Sequence, residues 1–437
     1  MQFITNYFQL KIAKSSLNQE IQAGLTTFLT MAYILVVNPA ILSKTGMDSS
    51  SVFLATCLTS AFGCLLVGLL ANYPVALAPG MAMNAYFAYQ IMEQGLSWPD
   101  ALGLIFISGI LFLLICITPV KTWILDAIPA SLSLAISSGI GIFIGFIALK
   151  QIGLISVSDS GFMQLGNLNS PSTIIALIGF ISIVVMETYK IRGSIMIAIF
   201  IATTLDLIFF AQNNLPPTTS NTATMMSTFF ALSFEHIYFD HTSVSIILTF
   251  LFVMLFDSTG TLIAVLKNKN NEHHTNNRKT AYALLANSIT CITGSLFGTT
   301  PTSPYIESAA GIKAGGRTGL TAVTVALCFI LAIIVFPIIK LVPIYATAPA
   351  LLFVACLMIE HLADIEWHKL TEAIPAALTL MMIPFTFSIA DGIGFGIISY
   401  SLLKLLCKSE DTKPAPIHPM MWILSIVFLT YFVTKYL

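Results

Sequence analysis

The chain has 437 residues, 57% hydrophobic and 9% charged, with a formal net charge of −1, where soluble chains of this size carry about 25% charged residues. A mean hydropathy of +0.89 excludes a water-soluble enzyme, whose surface could not be wetted. The charge balance excludes nucleic-acid binding through a broad basic face, which leaves a multi-pass membrane protein.

Residues 1–19 read as a cytoplasmic N-terminal segment, with an amphipathic piece from Phe3 to Lys14 lying along the inner membrane surface. A spanning helix needs about 20 apolar residues, fewer where it is broken or covered by protein. The candidate spans are 20–37, 51–72, 75–94, 99–118, 127–149, 171–189, 193–211, 243–266, 279–297, 301–312, 318–340, 344–361, 372–388 and 391–407, fourteen in all. A polar outer loop at 212–242 reads as a solvated connection without chemistry. The segment 408–437 holds a further apolar run, 419–436, after a Pro-rich turn. With the N-terminus in the cytoplasm and alternating sides, fifteen Lys and Arg fall inside against three outside, Lys44, Lys150 and Lys340. The seven cysteines are scattered singly in mostly apolar runs. They read as small hydrophobes, with no disulfide framework and no metal cluster.

The spans repeat. Thr27-Phe28-Leu29 matches Thr249-Phe250-Leu251, Gly68 to Pro74 matches Gly294 to Pro301, Pro129-Ala130 matches Pro349-Ala350, and Arg192-Gly193 matches Asp391-Gly392. The offsets are 222, 226–227, 220 and 199 residues, in unbroken order. Seven spans per copy is an odd number, so the second copy enters the membrane from the opposite side. The expected fold is an all-α membrane protein of fourteen segments in a seven-plus-seven inverted repeat, 20–211 and 243–407, a common plan for secondary transporters.

Spans three and ten are unusual. Pro74 to Pro79 and Pro301 to Pro304 cannot be helical throughout, because proline lacks a donor and restricts the residue before it. Each span is therefore expected to be half extended and half helical, with the half-helix N-termini turned toward one cavity. Asn84 lies about one turn into the first half-helix, and Glu307 starts the second. Asp257 sits in the middle of the apolar run of span eight, where an ionisable group costs roughly 2.5–3.5 kcal/mol on insertion scales. Thr261 shares its helix face, and Thr26, Thr30 and Tyr33 form a polar stripe on span one, with back-bonding to the helix's own carbonyls the competing assignment for each threonine. Asp206 reads as a structural hydrogen-bonding group, Glu187, Asp126 and Asp391 as interfacial, and Gly315 to Gly319 as a tight inner turn.

Four stretches carry a resemblance: Glu20 to Asn38, Ala78 to Phe87, Leu255 to Thr261 and Tyr305 to Leu320. They are similar to the adenine/guanine/hypoxanthine permeases, nucleobase–cation symporters with the uracil-transporter fold, and the likeness runs from about residue 18 to 407. It implies a core domain (spans 1–4 and 8–11) and a gate domain (spans 5–7 and 12–14). It implies a purine base bound between spans three, eight and ten, and inward proton-coupled transport across the plasma membrane. Asn84, Asp257 and Glu307 match the family's binding residues. Relatives of this fold often pair through their gate domains, so a homodimer is open.

The chemistry suits that reading. A carboxylate accepts two purine N–H groups side by side, and Asn84 supplies both a donor and an acceptor. Backbone near Met83 and Ile306 can read the remaining edge. Protonation removes the cost of moving a bare anion, so Asp257 or Glu307 can carry the coupled proton; Glu307 is assigned the grip and Asp257 the proton. No cofactor and no metal are expected. The rival readings are an anion exchanger of the same fold, which should avoid carboxylates at its site, a membrane enzyme, for which no nucleophile–base pair stands out, and a non-transporting receptor.

Overall fold

The computed structural model describes residues 2–119, 123, 127–157, 163–191, 193–209, 226–235, 241–267, 277–339, 342–407 and 418–436. Helices α1 (Gln2–Tyr7), α2 (Leu17–Met31), α3 (Ile34–Leu42) and α4 (Ser49–Leu66) lead to strand β1 (Leu77–Pro79), α5 (Met81–Gln94) and α6 (Trp98–Ile117). Next come α7 (Ala130–Ile152), β2 (Ile155–Val157), β3 (Met163–Leu165), α8 (Pro171–Thr188) and α9 (Ser194–Phe209). The second half runs through α10 (His241–Lys267), α11 (Asn277–Phe297), β4 (Thr302–Pro304), α12 (Ser308–Lys313), α13 (Gly319–Ala332) and α14 (Phe336–Ile339). It closes with α15 (Ala348–Ile359), α16 (Leu370–Thr386), α17 (Ile389–Leu406) and α18 (Pro419–Tyr436). Among the described residues, eight helical spans are long and apolar enough to cross a membrane, and four more apolar helices are shorter. Helices start where the chain supplies an acceptor for an orphan N–H: Ser16, Asp48, Ser97, Ser170, Thr318 and Ser388 each cap a first turn.

The helices pack in two groups. In one, α13 lies on α2 and α4, α11 on α4 and α6, and α10 on α6. In the other, α7 packs on α15 and α16, α16 on α17, and α8 on α9 and α15. The crossing of α13 over the end of α4 is glycine on glycine. A Cβ on Gly319 would meet the Gly68 carbonyl oxygen at 2.0 Å, so any larger residue would force the two apart.

Several expectations are corrected. The span expected at 20–37 lies within one crossing stretch, Leu17–Thr45, but its helix is interrupted at Ala32–Tyr33 between α2 and α3. Thr26 and Thr30 bond back onto their own helix, Thr26 to the Gln22 carbonyl at 2.9 Å and Thr30 to those of Thr26 and Thr27 at 3.1 and 2.8 Å. Such back-bonding bends helices, and the break follows within one turn. The helix expected at 318–340 ends at Ala332 and continues as a short 3-10 turn and α14. The stretch between spans five and six forms a hairpin, Ile155–Val157 paired with Met163–Leu165. The N-terminal piece is docked on protein: Phe8 and Leu10 are buried against Leu320, and Asn72 Nδ2 donates to the Phe8 carbonyl at 3.2 Å. The end of the outer loop is packed as well. Thr228 is fully buried, its N–H donating to Ser51 Oγ at 3.3 Å and its hydroxyl to the Phe297 carbonyl at 3.1 Å.

Asp391 departs from its sequence assignment as an interfacial acid, whereas Asp206 makes the structural hydrogen bond assigned to it. Asp391 is buried, and its Oδ1 accepts from the Tyr431 hydroxyl of α18 at 2.9 Å. Tyr431 also meets Ser245 of α10 at 2.9 Å, so α18 is tied to both helix groups. Asp206 is bonded by the Tyr345 hydroxyl. Asp126 lies outside the described residues. Glu20, given no role of its own in the sequence, is fully buried and binds the opposite half of the chain. It accepts from the N–H of Arg317 at 3.0 Å, the N–H of Thr318 at 3.2 Å and the Thr321 hydroxyl at 2.5 Å. It thus satisfies the orphan donors at the start of α13 from about 300 residues away. Glu20→Gln keeps one acceptor but turns the other atom into a donor facing donors. It should cost roughly 1–3 kcal/mol, read as a lower midpoint of thermal unfolding in detergent. An unchanged midpoint would show that this cap contributes nothing.

Candidate functional site

The proline-broken segments form a two-stranded antiparallel sheet between the two halves of the chain. Leu77 pairs with Pro304, Ala78 with Ser303 and Pro79 with Thr302. The pairing extends at both ends, with Gly80 N–H donating to the Pro301 carbonyl at 2.9 Å and Tyr305 N–H to that of Ala76 at 3.0 Å. A two-stranded sheet has two free edges whose polar groups need partners when buried. Each edge rests on a cysteine of the helix before it. Cys64 Sγ lies 3.3 Å from the Leu77 carbonyl and 3.2 Å from its N–H, and Cys291 Sγ lies 3.3 Å from the Thr302 carbonyl. The expectation that these cysteines serve only as small hydrophobes is therefore incomplete, since a thiol is a weak donor and acceptor.

Beside the strand crossing lies a small, partly open cavity of about 80 Å³. From the first helix group it is lined by Tyr33, Met81, Asp257, Thr261 and the run Ser303 to Glu307. From the second it receives Ser137, Val354, Leu357 and Met358. Asp257, Thr261 and Glu307 are thus brought together on one surface, and no Lys or Arg is among its lining residues. Ser303 and Asp257 both line the cavity. The Tyr33 hydroxyl donates to Glu307 Oε1 at 2.5 Å. The Tyr305 hydroxyl donates across the sheet to the Pro79 carbonyl at 2.7 Å.

Other expected site residues sit elsewhere. Asn84 is fully buried and does not line the cavity; its Oδ1 accepts from Thr300 just before β4, and its Nδ2 has no partner among the described residues. Met83 is also fully buried away from the cavity, whereas Ile306 lines it. Thr26 and Thr30 do not reach it. The second half-helix, α12, has six residues, too short for the dipole expected of it, and Glu307 stands at its start as the N-cap residue. Ser137 was missed. The run Ser137-Ser138-Gly139-Ile140-Gly141 in α7 was the available signal: small residues let α15 approach closely, and Ser138 donates to the Met358 carbonyl at 3.2 Å.

The model of the xanthine/uracil permeases, described as "Permease family", matches residues 18–395. The chain belongs to this family. This permease is 40% identical over 431 residues to the adenine permease AdeP of Escherichia coli (strain K12), covering 97% of this chain and 95% of that one. It is 39% identical to the guanine/hypoxanthine permease PbuO of Bacillus subtilis (strain 168), covering 96% and 98%. Among solved structures, the permease is similar to the transmembrane domain of the cyanobacterial bicarbonate transporter BicA, with a TM-score of 0.61 at 16% identity over 87% of this chain and 97% of that one. It is also similar to the murine anion transporter Slc26a9, with a TM-score of 0.62 at 13% identity over 88% and 68%. At such identities the likeness is one of fold.

Proposed function

We propose that this permease imports a purine nucleobase (adenine, guanine or hypoxanthine) by proton symport. The observation that carries the reading is the meeting of Asp257 and Glu307 on one cavity beside the crossed strands, in a chain whose relatives include purine permeases. A flat neutral base offers N–H groups that a carboxylate takes in pairs. The same two acids, with no cation among the lining residues, would repel the anions that the solved neighbours are named for.

In this reading Glu307 grips the base, Asp257 carries the proton, and Thr261 and the backbone of Ile306 read other edges. Asn84 holds the Thr300 segment and keeps one donor free for the bound state. Fourteen segments form two inverted seven-span repeats; β1 after Cys64 and β4 after Cys291, in the same order, support this plan. The first helix group is the core and the second the gate. Transport is alternating access between them, the cavity lying where they meet. The N-terminus is cytoplasmic in the plasma membrane, and two copies pair through their gates.

The test is uptake of radiolabelled adenine, hypoxanthine and guanine by permease-null cells expressing the chain, with and without a protonophore. Accumulation of at least one base, abolished by the protonophore, is expected. No uptake of any of the three would reject the substrate class, and uptake that ignores the protonophore would reject the coupling.

A further inference from the structure

Tyr33 stands at the break between α2 and α3 and is 1% exposed to solvent, yet its ring borders the cavity. The chain there changes its bonding: Leu35 N–H reaches the Ala32 carbonyl at 3.1 Å and Val36 N–H that of Tyr33 at 3.0 Å, both tighter than α-helical steps. That turn carries the phenol to Glu307, where the O–H···O separation of 2.5 Å is that of a charge-assisted bond. The neighbouring Tyr305, its ring centroid 6.4 Å from that of Tyr33, has its hydroxyl committed to Pro79. The two tyrosines therefore differ: Tyr305 ties the strands together, while Tyr33 occupies an oxygen of the acid assigned to the purine.

We propose that Tyr33 is an internal stand-in for the substrate: its O–H fills Glu307 Oε1 when no base is bound and yields that oxygen to a purine N–H on binding. The inference rests on the purine reading above. It follows from the cost of an unsatisfied carboxylate in an apolar setting. A carrier that returns empty needs a donor in place of the one it has just released, and the tyrosine provides it without leaving its helix. The exchange swaps one hydrogen bond for another. Tyr33 therefore opposes binding while easing the return of the empty carrier.

The test is Tyr33→Phe, which removes one oxygen and keeps the ring. Binding of radiolabelled purine to purified protein, counterflow exchange in preloaded proteoliposomes and net uptake are compared with the wild type. The stand-in role predicts a Kd lower by about tenfold, the equivalent of about 1.4 kcal/mol. It predicts exchange near the wild-type rate and net uptake slowed by about the same factor. A Kd that rises, with exchange and net uptake falling together, would overturn the proposal and make Tyr33 a direct purine ligand or a prop for Glu307. Thermal unfolding of the variant guards against misfolding, and Tyr33→Phe combined with Glu307→Ala, which leaves the phenol no acceptor to occupy, gives a second reading. With the carboxylate already gone, loss of the phenol should no longer tighten binding; continued tightening would also overturn the proposal. Failure of the wild type to bind any purine would instead defeat the substrate assignment.

Discussion

Replacing Glu307 by glutamine will raise the Kd for purine by about 100-fold or more and reduce uptake to background while leaving the protein folded. The carboxylate offers two acceptor oxygens to neighbouring N–H groups of the base, and hydrogen bonds to a charged group contribute about 1.5–3 kcal/mol each. Glutamine keeps Oε1, so the Tyr33 hydroxyl at 2.5 Å retains its acceptor. Its second atom is a donor set against a donor on the ring. The loss thus combines one missing bond with one repulsive contact, more than 2.7 kcal/mol and hence about two decades in affinity. Binding to purified protein, with surface expression and unfolding temperature measured in parallel, decides the matter. Wild-type affinity in the variant would remove Glu307 from the substrate and leave its bond to Tyr33 a structural one.

The features that lead to this expectation were visible in the sequence because they break local rules. Pro79 and Pro304 forbid helix where the flanking residues are apolar, and both lie in the crossed strands. Asp257 and Glu307 are acids where the membrane disfavours them, and both line the cavity. Other parts of the molecule are written in pairings across the chain that no local pattern announces. Glu20 looks like an ordinary first-turn acid of α2, and only its contact with the residues before α13 gives it a structural role. Cys64 and Cys291 look like apolar fillers until the strand edges arrive beside them.

Register within a helix was equally opaque. Asn84 is one turn from the strand crossing, as its position implied, but the helix turns it toward Thr300 and away from the cavity. A shift of one residue changes the exposed face of a helix by about 100°, and an evenly apolar surround does not say which face is covered. The same uniformity hid Asp391. It starts α17 near a span end, where water would be its usual partner, but the phenol of Tyr431 from α18 covers it. Ser137 escaped notice because a small polar residue in a small-residue stripe is normally there for packing, and its neighbour Ser138 is.

Asp257→Asn should separate transport from accumulation. Asparagine matches the carboxyl in shape and keeps an acceptor oxygen on the cavity wall that Asp257 shares with Ser303. The purine site on Glu307 is left intact, so binding and counterflow exchange are expected to stay within about threefold of wild type, a difference of under 1 kcal/mol. What the amide cannot do is take up a proton on one side of the membrane and release it on the other. An ionised carboxylate at the bilayer centre costs roughly 2.5–3.5 kcal/mol on insertion scales, so in the wild type the loaded carrier moves most readily with Asp257 protonated, and each base travels with a proton. The variant is permanently in the neutral form and will equilibrate purine without concentrating it. Its uptake plateau should sit at the external concentration and ignore a protonophore, where the wild-type plateau falls to that level when the protonophore is added. Accumulation by the variant that still follows an imposed pH gradient would transfer the coupling role to Glu307 and make Asp257 a passive wall of the cavity.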